Sequence, residues 1–183
     1  MSSLAISSEY AHEGSYALEA TIDASGDFQL DQAVIWRNVE LEAGTYSAWY
    51  YFPELVIAGS WVIMKLSSQD AGDRFDIDVH SIEGEGPRLR LYEHNDIGWI
   101  TEPAAVEIPV GAWVHVEADL VATPTANGRL TVRQDGVEVL DTGLRATLPD
   151  DRVKFFVGTA SFSVEPVPAR VFIDDVGIFP AAQ

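Results

Sequence analysis

Hydrophobic and polar positions alternate along most of this chain, and the period is two. Residues 74–80 (Arg-Phe-Asp-Ile-Asp-Val-His) put Phe75, Ile77 and Val79 on one side and Arg74, Asp76, Asp78 and His80 on the other. Residues 88–92 repeat the pattern with Leu89 and Leu91 inward, and 113–120 with Val114, Val116, Ala118 and Leu120 inward. Residues 45–52 are β-branched and aromatic, and in 61–66 Val62, Met64 and Leu66 share a side. Strand side chains point alternately to opposite faces, so these segments predict half-buried antiparallel strands. No window of a dozen residues keeps apolar positions at i, i+3, i+4 and i+7, which limits helix to short connectors. Asp135-Gly136, between residues 129–133 and 137–140, predicts a tight hairpin because both turn positions tolerate positive φ. Loops fall at 68–73, 83–87 and 122–127. Strands recurring at intervals of about a dozen residues predict an all-β, two-sheet antiparallel sandwich, with residues 1–183 as one domain.

Composition narrows the function. At 183 residues the chain can build one core without covalent staples. It has no cysteine, which excludes a disulfide framework, a thiolate nucleophile and an iron–sulfur site. Its 29 acidic residues against 11 basic ones repel polyphosphate, so nucleic acid is not expected as a partner. Apolar runs such as Val62–Met64 are far short of the ~20 residues a membrane helix needs, so no membrane insertion is expected. No basic region precedes an apolar stretch, and no signal peptide is read in this chain.

Four segments carry a family likeness. They are residues 11–18 (Ala-His-Glu-Gly-Ser-Tyr-Ala-Leu) as an opening strand, 111–116 with Trp113, the hairpin 127–137, and 169–178 with Ile173-Asp174-Asp175-Val176 as a closing strand. In this order they resemble the concanavalin A-like jelly-roll family of laminin-G-like lectins, polysaccharide-lyase-type domains and carbohydrate-binding modules. The opening and closing strands are also similar to calcium-containing carbohydrate-binding modules of the galactose-binding-like jelly roll. The resemblance implies a two-sheet sandwich that holds a polysaccharide on its concave sheet.

The outward sides of the alternating strands supply candidate ligand-binding residues: Lys65, Arg74, Asp76, Asp78, His80, Arg88, Arg90, Tyr92 and His94. Trp61, Trp113, His115 and Glu117 fall on outward positions too, with Trp113 read as structural. Trp99 follows Asp96-Ile97-Gly98 in a loop and is a candidate for stacking on a sugar ring. Trp36, Trp49, Tyr50 and Phe52 are read as core, and His12 as a loop residue. Alternating strands also carry polar outer faces with no ligand at all, so the pattern alone leaves a solvated surface open.

Three readings follow. The first, and the one the residues favour, is a carbohydrate-binding module for a neutral or weakly charged polysaccharide, extracellular or on the cell surface, that forms part of a larger enzyme or adhesin. The second is a polysaccharide lyase of the same fold, for which His80, Tyr92, Arg88 and Arg90 are the right types, with His80 expected beside Tyr92. The resemblance implies a Gln-x-His strand and a Tyr-x-Lys-x-Gly-x-Tyr strand in such lyases. Here Asp78-Val79-His80 stands for the first, and the second is missing. A glycoside hydrolase of this fold would need two suitably spaced carboxylates, and the family's Glu-x-Asp-x-x-Glu signature is absent. The third is a structural or protein-interaction domain. The resemblance also implies a structural calcium, with Asp174 or Asp175 as ligand and Glu13 and Asp23 as partners.

Overall fold

Burying one side of each alternating segment requires a second apolar face, and the chain supplies it as a second sheet. The computed structural model describes residues 2–24, 29–94, 98, 99, 101 and 103–181, with the backbone alone at 73, 98 and 99. Among these the strands are β1 (Ser3–Ser7), β2 (Ala17–Ile22), β3 (Asp31–Glu40), β4 (Ala43–Tyr51), β5 (Ala58–Ser68), β6 (Gly72–Ser81) and β7 (Arg88–Glu93). They continue as β8 (Gly98–Trp99), β9 (Trp113–Val121), β10 (Arg129–Gln134), β11 (Val137–Asp141), β12 (Arg152–Ser161) and β13 (Ala169–Pro180). No helix occurs among the described residues. A seven-stranded sheet runs β1-β2-β13-β4-β9-β10-β11, and a six-stranded sheet runs β3-β12-β5-β6-β7-β8. Chain neighbours β2, β3, β4 and β5 switch sheets at every step, which makes the sandwich a jelly roll.

The inner faces meet in a buried cluster. Phe75, Ile77, Val79, Leu89 and Leu91 come from one sheet, and Tyr46, Ala48, Tyr50, Val114, Val116 and Val132 from the other. Each large apolar side chain buried here contributes roughly 1.5–3 kcal/mol. Asp135 and Gly136 take φ of 50° and 79° and close the β10–β11 hairpin, as their sequence predicts.

Four positions depart from the simple alternation. The register of β5 against β6 shifts between Val62 and Met64, and the extra residue reverses the phase. Trp61 therefore points inward, 1% exposed, with its indole N–H donating to the Thr159 hydroxyl, while Val62 is half-exposed. Residues 11–16 form turns, and the strand begins only at Ala17. Trp36, expected in the core, is 56% exposed because β3 is an edge strand whose Trp36 stands opposite the outward Phe156. Arg74 does not join the outer face. Its guanidinium pairs with Glu93, a fully buried carboxylate that also lies 3.0 Å from Arg145 Nη2.

Glu93 thus sits between two arginines, one on β6 and one in the connection after β11. Removing one partner of a buried pair leaves charge uncompensated and costs about 3–5 kcal/mol. Glu93→Gln is expected to lower the melting temperature by roughly 6–20 °C, as read by thermal unfolding.

Candidate functional site

Strand pairing arranges the outer face of the six-stranded sheet in rows. Trp36 stands opposite Phe156, Phe156 opposite Lys65, Lys65 opposite Asp76, Asp76 opposite Tyr92, and Tyr92 opposite Trp99. Directly opposed strand residues share a face with Cβ atoms about 5 Å apart, so this row crosses the whole sheet. The Trp99 side chain lies outside the described residues. Two further rows carry Asp78 opposite Arg90 and His80 opposite Arg88.

Asp76 organises the first row. It is 6% exposed, with Lys65 Nζ 3.4 Å from one carboxylate oxygen and His94 Nε2 2.8 Å from the other. A carboxylate only accepts, so Nε2 of a neutral His94 carries the proton and Nδ1 keeps its lone pair, an assignment made from the network. The imidazole meets the Tyr92 ring edge-on, with centroids 4.7 Å apart. A base oriented by a buried carboxylate and packed beside a tyrosine ring is an arrangement suited to proton transfer.

The second row is more structural. Asp78 is fully buried and gripped by Arg90 through Nε at 3.4 Å and Nη2 at 3.2 Å, while the guanidinium also donates to the Gly59 carbonyl. Burial pushes the Asp78 carboxyl up, outweighing the lowering by hydrogen bonds from Ser60 and Arg90 and by the nearby positive charge. His80 Nδ1 lies 2.9 Å from the Gly59 carbonyl, and Arg88 Nη2 lies 3.6 Å from Glu107. His80 does not sit beside Tyr92. It lies four residues along β6 from Asp76, the residue opposite Tyr92, which is about 13 Å. The histidine next to Tyr92 is His94.

Beside Lys65 the face dips into a depression of about 160 Å³ bounded by Gln32, Val34, Val62, Phe156 and Gly158. Gly158 has φ of 148°, and a Cβ there would stand 2.3 Å from the Ala33 carbonyl oxygen, so only glycine lets β12 and β3 approach here. Both lysines of the chain, Lys65 and Lys154, lie on this face with Arg88, Arg90, His80 and His94. Sequence reasoning missed Lys154, Phe156 and Trp36. The run Phe155–Val157 is apolar at every position and hides its phase, and the scarcity of lysine was the remaining clue.

Trp113, His115 and Glu117 belong to the other surface, the outer face of the seven-stranded sheet, because β9 pairs with β4. Trp49, read as core, is half-buried there, with His12 stacked on it at 3.8 Å and His115 at 4.8 Å. His12, Glu13 and Asp175 place donor atoms within 4.8 Å of one another, a group that could hold a metal ion. The wider set expected for calcium is not gathered in this group. The Asp174 carboxylate is occupied by backbone N–H groups of His12, Glu13 and Asp175 at 2.9, 3.3 and 2.9 Å. Asp23 follows Ile22, which pairs with Ala169 at the far end of β13, about 17 Å from Asp174. The remaining two carboxylates and an imidazole supply part of the six to eight ligands calcium takes, and backbone carbonyls or water would have to complete the shell.

No family model matches the chain, and no curated protein matches it. Solved structures do. An endo-β-1,4-glucuronan lyase from the fungus Trichoderma reesei superposes with a TM-score of 0.73 at 17% identity, covering 98% of this chain and 87% of that one. An alginate lyase in complex with an alginate trisaccharide gives 0.68 at 14% identity, covering 92% and 84%. A tetrameric galectin from a Cinachyrella sponge gives 0.55 at 15% identity, covering 80% and 99%. The fold is therefore the two-sheet jelly roll shared by polysaccharide lyases and lectins, as the sequence resemblance implied.

Asp174 pins the 12–13 turn to β13 through hydrogen bonds from backbone N–H groups. Asp174→Ala releases three backbone donors, at about 1–3 kcal/mol in all, and is expected to lower the melting temperature by several degrees. Adding or chelating calcium is expected to leave that temperature unchanged.

Proposed function

We propose that this chain is a polysaccharide lyase that cleaves a uronic-acid polymer on the outer face of the six-stranded sheet. The observation that carries this reading is the cluster of Tyr92, His94, Asp76 and Lys65. β-Elimination removes the proton beside a uronate carboxylate, forms a C4–C5 double bond, and expels the glycosidic oxygen at C4. His94 Nδ1, oriented through Nε2 by Asp76, takes the C5 proton. The Tyr92 hydroxyl protonates the departing oxygen, and solvent returns the two groups to their starting states. The Lys65 ammonium, inside the same row, offsets the carboxylate charge that builds as C5 loses its proton.

Several observations support this over binding without turnover. A glucuronan lyase and alginate lyases share the fold over nearly the whole chain. An alginate lyase variant lacking one lysine and one tyrosine is known with an alginate tetrasaccharide, and Lys65 and Tyr92 are the lysine and tyrosine at the centre of this row. A stacking surface needs no buried carboxylate to orient an imidazole. The net charge of -18 would repel a polyanion, yet both lysines lie on this face and its two aspartates are buried beneath their cations. A polymer substrate of this kind is met outside the cell, alone or with further domains attached.

The test is incubation with glucuronan and with alginate, following the ultraviolet absorbance of the unsaturated product. One of the two is expected to be depolymerised. Tyr92→Phe and His94→Ala should each lower kcat by about 10²–10⁴-fold with unchanged melting temperature, and His80→Ala by less than tenfold. Retention of a polymer without cleavage would return the reading to a binding module. Neither cleavage nor retention would leave a structural or interaction domain.

A further inference from the structure

The basic side chains of this protein are almost all paired. Among the described residues, every arginine apart from Arg37 lies within 4.0 Å of a carboxylate, and so does Lys65. Lys154 is different. Among the described residues no carboxylate lies within that distance of its ammonium group, although the chain carries 29 acidic residues. Two aromatic rings hold it instead, with Nζ 4.4 Å from the Trp36 ring centre and 4.8 Å from that of Phe156. Cation–π contacts fix the position of an ammonium while leaving its charge unneutralised. Trp36 beside it is 56% exposed, an unusual loss of apolar burial for so large a ring.

The place of this cluster in the fold gives it a use. Phe156 and Trp36 continue the row of Lys65, Asp76 and Tyr92, three and four strands away from Tyr92 and so about 14 and 19 Å from it. The depression beside Lys65 lies between the two ends. We infer that Trp36, Lys154 and Phe156 form an outlying subsite that takes a uronate unit of the polymer, several sugars from the bond that is cut. The carboxylate pairs with Lys154 Nζ, and the apolar face of the pyranose lies against Trp36. A neutral sugar would satisfy the tryptophan and leave the ammonium unpaired; a uronate satisfies both. This rests on the lyase reading for its direction along the chain, though not for its binding chemistry. Contact so far from the reacting bond is the same in ground and transition states, so it acts on KM and not on kcat.

The experiment compares wild type, Trp36→Ala, Lys154→Met and Lys154→Arg in two assays. One is steady-state cleavage of polymeric glucuronan or alginate and of the shortest oligomer that is cut. The other is calorimetric binding of the same polymers to a Tyr92→Phe background, at low and high salt. Trp36→Ala and Lys154→Met should raise KM for polymer about tenfold with kcat within twofold, and leave the short oligomer unaffected. Lys154→Arg should restore most of the affinity, and binding by Lys154→Met should lose part of its salt dependence. Unaltered KM and affinity for polymer in both variants would overturn the subsite while leaving the lyase reading in place. Lys154-dependent binding of polymer by a wild type that cleaves nothing would overturn the lyase reading and keep the subsite. No binding and no cleavage would overturn both.

Discussion

The burial of the inner faces decides everything on the outer one. Strand side chains alternate strictly, so a slip of one residue exchanges the two faces completely. For β6 and β7 such a slip would expose Phe75, Ile77, Val79, Leu89 and Leu91, each worth roughly 1.5–3 kcal/mol when buried. That penalty locks Asp76 opposite Tyr92, Asp78 opposite Arg90 and His80 opposite Arg88. The chemistry of the site is in this sense a by-product of the core: no side chain on the outer face chooses its own neighbours.

Charge is layered on that lattice. Asp76 and Asp78 lie at the floor of the outer face, and Lys65, His94 and Arg90 reach over them. Each buried carboxylate needs a partner to stay ionised, and the partner then presents positive charge to whatever approaches from outside. A protein with a large negative excess thereby gathers both of its lysines on one face. The opposite sheet uses its polar groups differently. There Asp174 spends both oxygens on backbone donors, and the His12–Trp49–His115 stack covers the strands as packing.

The same logic explains which candidates came together. Tyr92, His94, Asp76 and Lys65 share a row because β5, β6 and β7 are consecutive in the chain and in the sheet. Their proximity could be anticipated from alternation and short connections. Phe156 and Trp36 join the row through β12 and β3, which lie far apart in sequence and pair only after the chain has crossed between sheets. Trp113, His115 and Glu117 have the same alternation as the site residues and end up on the other surface, since β9 pairs with β4.

The sequence by itself determined that strands would form, where most of them lie, which side of each is apolar, and that two such layers must face each other. Period-two alternation and the Asp135-Gly136 turn are local properties, and local sterics and burial read them directly. Only the tertiary structure decided which strands are neighbours. It turned Trp61 inward through a one-residue bulge, drew Arg74 away to Glu93, and placed His94 in the position beside Tyr92 expected for His80. Those outcomes depend on register and strand order, which are settled by packing two whole sheets together and leave no signature in any single segment.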